Sequence, residues 1–517
     1  MLIKIILIIL SFVPSFALAW TPPIGIPAPT WPTDLDVARP TMPSPWTSDQ
    51  AGWYFISATS CNDSRTYGNP TAARCSIPTA PAAGDRIVMD GTIANSKTIL
   101  ATGTSGNPVW IMGYNTGTPP SCTAEWGLDG YIIVDHVNWS LNTNGGVSLG
   151  AHVMLRTCTL TNAYSSSNYG MLVPTDVGAI VYGCTIGPTG VWTSGSVDAH
   201  GMKVTPGVDG LWVMDSTFYQ CEGDGIQVGD QSNTAAQINH VYIGRNTAHN
   251  NSQTCFWTKN ATDVIFSQNT CYNQTYDPGD AGQVGMGLGG QYDPKYVWFI
   301  ANTVHDTKVG IGINGPDAGT GGPWYAIGNR VYNIWSESMA CNNYNMGALM
   351  YRNMGEYTAI FNTIYNADSF FCDANGSGTT IFNDNILSVK NTTYNTCAAT
   401  QVDITWSHDY NLDSDSSYIA DTHGQAEAAS ATFTTPGSDF TLKSTSAAVG
   451  HANGSEEAAF AAFQTRYGID IRKDIAGTTR PQSTTWDIGA YEYTAGGGGN
   501  PVTFSMTGVS CKGCQLH

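Results

Sequence analysis

The chain has 517 residues, with 40 Asp and Glu against 21 Lys and Arg, and a formal net charge of −19. So few cations disfavour a nucleic-acid partner, because neutralising phosphates needs clustered positive charge. The same balance weighs against a polyanionic ligand unless bound Ca²⁺ or a local basic patch reverses the field.

Residues 1–19 read as an export signal. Lys4 supplies the positive region, Ile5 to Val13 the apolar stretch, and Ala17-Leu18-Ala19 a small-residue cleavage site before Trp20. That run is too short to cross a membrane, and no later segment has about 18 consecutive apolar residues. An exported protein without a membrane span, monomeric and acting outside the cell or at its surface, is expected. Its 13 cysteines all follow the signal, in a context that permits disulfides. The odd count leaves at least one thiol free or paired between chains. Cys61 and Cys75 could close a local loop, and Cys511 and Cys514, near His517, read as a local disulfide or a disordered end.

Residues 20–50, beginning "WTPPIGIPAPTWP", are rich in Pro, Thr and Trp and predict an extended linker. Residues 51–125 carry short strand-like runs punctuated by Gly and Pro, such as "GWYFIS" and "PVWIMGY", which predict an N-terminal cap and first coils.

From residue 126 to about 425 the chain repeats. "VYIGRNTAHN" aligns with "DVIFSQNTCYN", "YVWFIANTVHD", "WYAIGNRVYN" and "YTAIFNTIYN". The anchoring asparagines are Asn246, Asn269, Asn302, Asn329 and Asn362, with Asn385 a weaker sixth. Ser216, Cys184 and Cys158 hold the same place earlier. A period of roughly 20–35 residues signals a solenoid. Each repeat holds a second strand, such as "GMLV" at 170, "GMKV" at 201, "GIQV" at 225, "GMGL" at 285 and "GIGI" at 310, with period-two alternation. Val, Ile, Thr and aromatics fill the runs, Gly, Asn and Asp the joints, and long amphipathic helices are absent. An in-register Asn column favours stacked coils over a sandwich, because an inward Asn can bond to the backbone and to the Asn above and below.

With these repeats the chain resembles the secreted right-handed parallel β-helix proteins of the pectate-lyase-like family. The resemblance implies an all-β solenoid with capping segments. Residues 426–494, ending in "DIGAYEY" (487–493), resemble the closing segment of bacterial members, and 495–517 read as a Gly-rich linker and tail. The fold hosts lyases, hydrolases, epimerases and adhesins, so the resemblance implies export and fold rather than substrate.

Subtracting the repeat isolates the candidate chemistry. Asn246, His249 and Asn250 share columns with residues of neighbouring coils and read as structural. Arg245, Gln253, Trp257 and Lys259 do not recur. Alternation turns Phe256 and Thr258 inward and Trp257 and Lys259 outward. The place of Trp257 holds Gln227 and Lys203 in the two preceding coils, with Asp224 and His200 just before the glycine. In the two following coils that place falls on Gly287 and Gly312. A polar, cationic patch beside a glycine-floored strip would suit an extended polysaccharide, with Trp257 stacking on a sugar ring.

For β-elimination, Lys259 or Lys203 would be the base, His200 the acid, and Gln227 and Arg245 the carboxylate holders, with Asp224 and Gln253 alongside. "VDAHGMKV" carries an Asp-x-His resembling a segment of β-helix uronate epimerases. Glycoside hydrolysis would need two carboxyls, Asp224 with Asp198 or Glu222. "GDGI" resembles half of the Gly-Asp-Asp segment of polygalacturonases, but the second Asp is Gly225 here. A non-catalytic glycan-binding surface protein is the third reading. Asp198, Asp209, Glu222, Asp224 and Asp230 could contribute to a Ca²⁺ site, though no spacing specifies one. The leading reading is a lyase acting on an extracellular uronate polysaccharide.

Overall fold

The computed structural model describes residues 20–164, 169–191, 198–232, 234, 237–274, 285–314, 321–335, 347–352, 355–368, 371–374, 379–389, 405–414, 421–454, 457–482 and 484–495. The expected export signal, the terminal cysteine pair and nearly all of the tail lie outside these residues. Among the described residues no helix is long and apolar enough to cross a membrane.

The chain winds into a right-handed parallel β-helix. The central coils each give one strand to each of three sheets, so sequential strands in a sheet are a full coil apart. Among the described residues sheet I has 14 strands, from Trp53–Ser57 to Thr405–Asp409. Sheet II has 11, from Lys97–Leu100 to Phe371–Ala374, and sheet III has 14, from Thr92–Ile93 to Gln425–Ala426. Stacking therefore begins well before residue 126, where the repeat first becomes legible. One continuous apolar core fills the coil, including Val241, Val264, Val297 and the stacked rings of Phe266, Phe299 and Trp324.

The asparagine column forms the corner between sheets I and III. Asn302 is fully buried and uses its whole amide. Its Nδ2 donates to the Phe266 carbonyl at 2.9 Å and to Asn329 Oδ1 at 3.0 Å, and its Oδ1 accepts from Asn269 N and Nδ2, each at 3.0 Å. The same pattern runs from Asn246 through Asn269, Asn302, Asn329, Asn362 and Asn385. It then continues one coil further, to Asn411, and ends on Asp421. Ser216 opens the ladder by donating its backbone N–H to Asn246 Oδ1. The neighbouring columns are equally regular. Tyr219, His249, Tyr272, His305 and Tyr332 stack ring on ring. Gln220, Asn250, Asn273, Asp306, Asn333 and Asn366 all take positive φ between 50° and 57°, a conformation that Asn and Asp tolerate.

Residues 20–50 are not a linker. Ile24, Ile26, Trp31, Leu35 and Trp46 are buried on the outward face of sheet I, against Trp110, Ile133, Met154, Trp212 and others. The Ser267 hydroxyl donates to the Ile24 carbonyl at 2.6 Å, and Gln268 Oε1 accepts from Ile24 N at 2.9 Å. Pro content predicts extension without packing, but the apolar outer face of sheet I needs a cover, and the Trp and Ile residues between the prolines supply it. The helix Glu457–Tyr467 covers the same face further along, with Phe460 and Phe463 inward. The hairpin of Phe433–Thr435 and Asp439–Leu442 packs against Tyr332 and Tyr365, outside sheet III. In residues 487–493 the carboxylates tie the segment together. Asp487 accepts from Gly450 N and Tyr493 N, and Glu492 pairs with Arg480 at 3.1 Å, both almost fully buried. The described half-cystines are Cys61–Cys75, which closes a local loop, and Cys255–Cys271, inside the coil. Cys122, Cys158, Cys184 and Cys221 are buried thiols.

Candidate active site

The candidate residues gather on three neighbouring strands of sheet II, Ala199–Val204, Ile226–Val228 and Thr254–Lys259. Register puts Lys203 beside Gln227 and Gln227 beside Trp257. The next place along is Gly289, then Gly312. Gly287 pairs instead with the level of Cys255, so the expected Gly287 position is two residues out. The sequence Gly285-Met286-Gly287-Leu288-Gly289 holds two overlapping Gly-apolar-Gly units, and it is the second that pairs with Gly310-Ile311-Gly312.

A local step in each strand enlarges the site. A Cβ on Gly201 would meet the Phe218 ring and Cys221 Sγ at 3.0 Å, so this position faces the core, as does Met202 after it. Gly225 and Ile226, and Cys255 and Phe256, repeat the step. Two consecutive inward residues bring the residues on either side to the same outer face. His200, Asp224 and Thr254 thus join Lys203, Gln227 and Trp257. Met286, one coil on from Thr254, packs with Trp257 and Val309 in a small cluster apart from the core.

Burial then sorts the residues into two layers. His200 is fully buried and Asp224 and Gln227 are 2% exposed, whereas Lys203, Gln253 and Lys259 are half-buried. Lys259 Nζ donates to Gln227 Oε1 at 3.0 Å, and Lys203 Nζ bonds Asp230 Oδ2 at 3.1 Å. Burial pushes the Asp230 carboxyl up, but the bond and charge of Lys203 outweigh it and hold Asp230 below its ordinary range. Gln253 bonds Asp198, two residues before His200, which fixes the rim of the cluster.

The buried layer is a His–Asp pair without an ion pair. His200 Nδ1 accepts the backbone N–H of Asp224 at 3.0 Å and so carries no proton. Asp224 Oδ2 lies 3.6 Å from that nitrogen, too far for a hydrogen bond. His200 Nε2 is buried without a partner. Burial drives the imidazole pKa down to about 3 and the Asp224 carboxyl up to about 7, the latter against the pull of Lys259 and the bond from the Thr254 hydroxyl. A neutral imidazole without access to solvent is not placed to protonate a leaving group, so the expected acid role of His200 does not fit its surroundings. Thr254 was not singled out from the sequence. The signal was present, because it occupies the column of His200 and Asp224.

Two further expectations change. Trp257 is only 6% exposed, and a Cβ on Gly289 would lie 2.4 Å from its ring. The indole therefore fills the glycine strip and offers no open face to a sugar. Arg245 is not in the cluster. It follows the sheet I strand Asn239–Gly244, clasps Asp215 through Nε and Nη2 at 2.7 Å each, donates to the Thr21 carbonyl and lies over the Trp20 ring. It pins the N-terminal segment. Asp209 is also on sheet I, where it bonds His240. Among the described residues no group of three or more His, Cys, Asp or Glu side chains is arranged to hold a metal ion.

No family model matches the chain, and no curated protein matches it in sequence. Among solved structures it is similar to the alginate lyase AlyF-OU02 in complex with G6, at 13% identity and TM-score 0.46, over 68% of this chain and 82% of that one. It is also similar to the pectate lyase Pel9A, at 13% identity and TM-score 0.34, over 85% of this chain and 96% of that one. A GH136 lacto-N-biosidase from Eubacterium ramulus matches at 10% identity and TM-score 0.38, over 73% of this chain and 68% of that one. Likeness at this level assigns no reaction.

Proposed function

We propose that the chain is a carbohydrate-active enzyme that cleaves an extracellular uronate-containing polysaccharide by β-elimination on the outer face of sheet II. The observation that carries this reading is the pair of half-buried lysines, Lys203 and Lys259, beside a buried Gln227 and on one face with a buried Asp224 whose carboxyl burial raises to about 7. Elimination needs a group to take the proton alpha to the uronate carboxylate, and positive charge to stabilise the enolate-like intermediate. Lys259, aimed by Gln227, takes the proton in its neutral amine form. The C–H electron pair moves toward the carboxylate, whose growing charge faces Lys203. The C4–O bond then breaks, and Lys259 returns the proton to the leaving oxygen.

Asp224 and His200, buried on the same face and within reach of the Lys259 charge, act through Lys259 as positioning residues. Hydrolysis by paired carboxyls is less well served, because Asp198 is bonded to Gln253 and Glu222 accepts from Val191 N.

The test incubates purified protein with uronate and neutral polysaccharides. Ultraviolet absorbance of a new unsaturated uronate is expected. Reducing ends without that absorbance would replace elimination with hydrolysis, and binding without any product would make the chain a glycan-binding protein. Lys259→Ala should lower turnover by about 10²–10⁴-fold, the usual worth of a general base. Full activity in that variant would remove Lys259 from the reaction.

A further inference from the structure

The terminal segments build a second concavity at the corner between sheets I and III, away from sheet II. It is a cleft of about 1360 Å³, floored by corner residues such as Gln268, Ala301 and Thr303. Residues 21–28 wall one side, and stretches of the C-terminal segment, including Lys473 and Tyr491, wall the other. The volume exceeds the roughly 300–1,000 Å³ of a typical small-molecule pocket.

Its charge is unusual for so acidic a protein. Arg330 meets no carboxylate within ion-pair distance among the described residues. Its Nη1 donates to the Tyr491 hydroxyl at 2.8 Å, its Nη2 to Thr303 Oγ1 at 3.1 Å, and its Nε is buried without a partner. Lys473, exposed on the C-terminal wall, likewise makes no ion pair among the described residues, although its charge helps Arg472 to hold the Asp470 carboxyl below its ordinary range against the push of burial. The other charges are largely spoken for. Arg245 is clasped by Asp215, Asp470 is bonded by Arg472, and Asp439 accepts from the Thr441 hydroxyl and N–H. The lining thus carries three cations, Arg245, Arg330 and Lys473, against two carboxylates, Asp439 and Asp470, in a chain whose net charge is −19. A guanidinium whose hydrogen-bond partners are all neutral keeps its charge for a carboxylate.

We propose that this cleft binds a carboxylated oligosaccharide at a place separate from the sheet II cluster. The choice of a sugar rests on the function proposed above; the choice of an anion rests on Arg330 and Lys473 alone. The hydroxyls of Thr303, Ser438 and Thr441 and the ring faces of Pro22 and Pro23 suit the mixed polar and apolar faces of a pyranose chain. Such a site would hold a polymer to the enzyme or retain its fragments.

The experiment measures binding of oligogalacturonate and oligoalginate fragments to the full chain by calorimetry, with a neutral gluco-oligosaccharide as control. The fragments are expected to bind wild type and a Lys259→Ala variant alike. Lys473→Met and Arg330→Lys should each weaken binding by about tenfold, as expected for one lost charge-assisted hydrogen bond, without altering turnover of short substrates. Arg330→Lys keeps the charge that packs against Phe440 and Tyr332, and Lys473→Met touches no packing, so loss of fold does not confuse the result. Unchanged affinity in both variants, equal binding of the neutral sugar, or loss of all binding in Lys259→Ala would each overturn the proposal. Absence of an unsaturated product, with cleft binding intact, would sink the lyase reading and leave the cleft standing.

Discussion

His200 and Asp224 can be separated by titration, because burial moves their pKa values in opposite directions. Consider stability between about pH 4 and 6.5. In the folded state the pair holds one proton, on Asp224, with His200 neutral. In the unfolded chain it also holds one, on the histidine, with the aspartate ionised near its ordinary pKa of about 3.9. Stability changes with pH in proportion to the difference in bound protons, so the pair contributes almost no slope in wild type. Each single variant uncovers one partner.

In His200→Asn only Asp224 is left, with its folded pKa raised from 3.8 to about 7. The folded state now binds the extra proton. Stability is highest at low pH and falls as pH rises through that window, by about 1.4 kcal/mol per unit. In Asp224→Asn only His200 is left, with its folded pKa lowered from 6.5 to about 3. The unfolded state binds the extra proton, so stability is full above about 6.5 and is lost as pH falls, at about the same slope. Over two pH units the variants should diverge by roughly 5 kcal/mol. Urea midpoints at several pH values, for wild type and both variants, measure this directly. The many other carboxylates titrate in all three proteins and cancel in the differences. Parallel profiles would refute the account and mean that His200 and Asp224 carry ordinary charges.

Two smaller changes test neighbouring parts of the argument. Thr254→Val removes a hydroxyl that favours the ionised form of Asp224. In the His200→Asn background it should move the upper end of the stability slope to higher pH, and an unmoved midpoint would strip Thr254 of that role. Asn302→Ala leaves the backbone N–H of Asn269 and one of its two Nδ2 hydrogens without an acceptor inside the coil. At about 1–3 kcal/mol for each buried unsatisfied group it should cost roughly 3–5 kcal/mol of unfolding free energy, and a loss below 1 kcal/mol would mean that the ladder is ornamental.

The repeat was legible because the physics of stacking imposes it on the sequence. A coil corner must satisfy the same backbone groups every turn, so Asn recurs from Asn246 to Asn385 and His249 falls into a column of tyrosines. Asn411 escaped notice because the chain between it and Asn385 does not repeat the flanking pattern. The terminal segments were not legible in the same way. Residues 20–50 contribute to the core of the outer layer through isolated side chains such as Leu35 and Trp46, without periodicity. Their partners on sheet I are outward residues that a two-fold alternation reads as solvent-facing. Arg245 was misplaced for a related reason. It is eight residues from Gln253 in sequence, but the Asn corner and the whole strand Thr247–His249 of sheet III intervene before the chain reaches sheet II.

The site itself depends on a departure from alternation. Strict period two would put His200 on the core side with Met202 and leave Lys203 alone outside. The paired inward positions Gly201-Met202, Gly225-Ile226 and Cys255-Phe256 allow both flanks to face outward. Glycine makes this possible at the first two coils, since a Cβ on Gly225 would lie 2.5 Å from the Cys255 carbonyl oxygen. In the third coil the inward position is a half-cystine, tied to Cys271 across the core. The step thus replaces an outward glycine by His200 or Asp224 on the face that carries Lys203 and Gln227, and puts a buried carboxyl and imidazole on that face within reach of the Lys259 charge. A flat alternating strand could supply the cations of Lys203 and Lys259, but not the buried carboxyl beside them. The chemistry is therefore tied to a backbone feature confined to these coils, and the aspartate and histidine at the step are the residues whose titration reports on it.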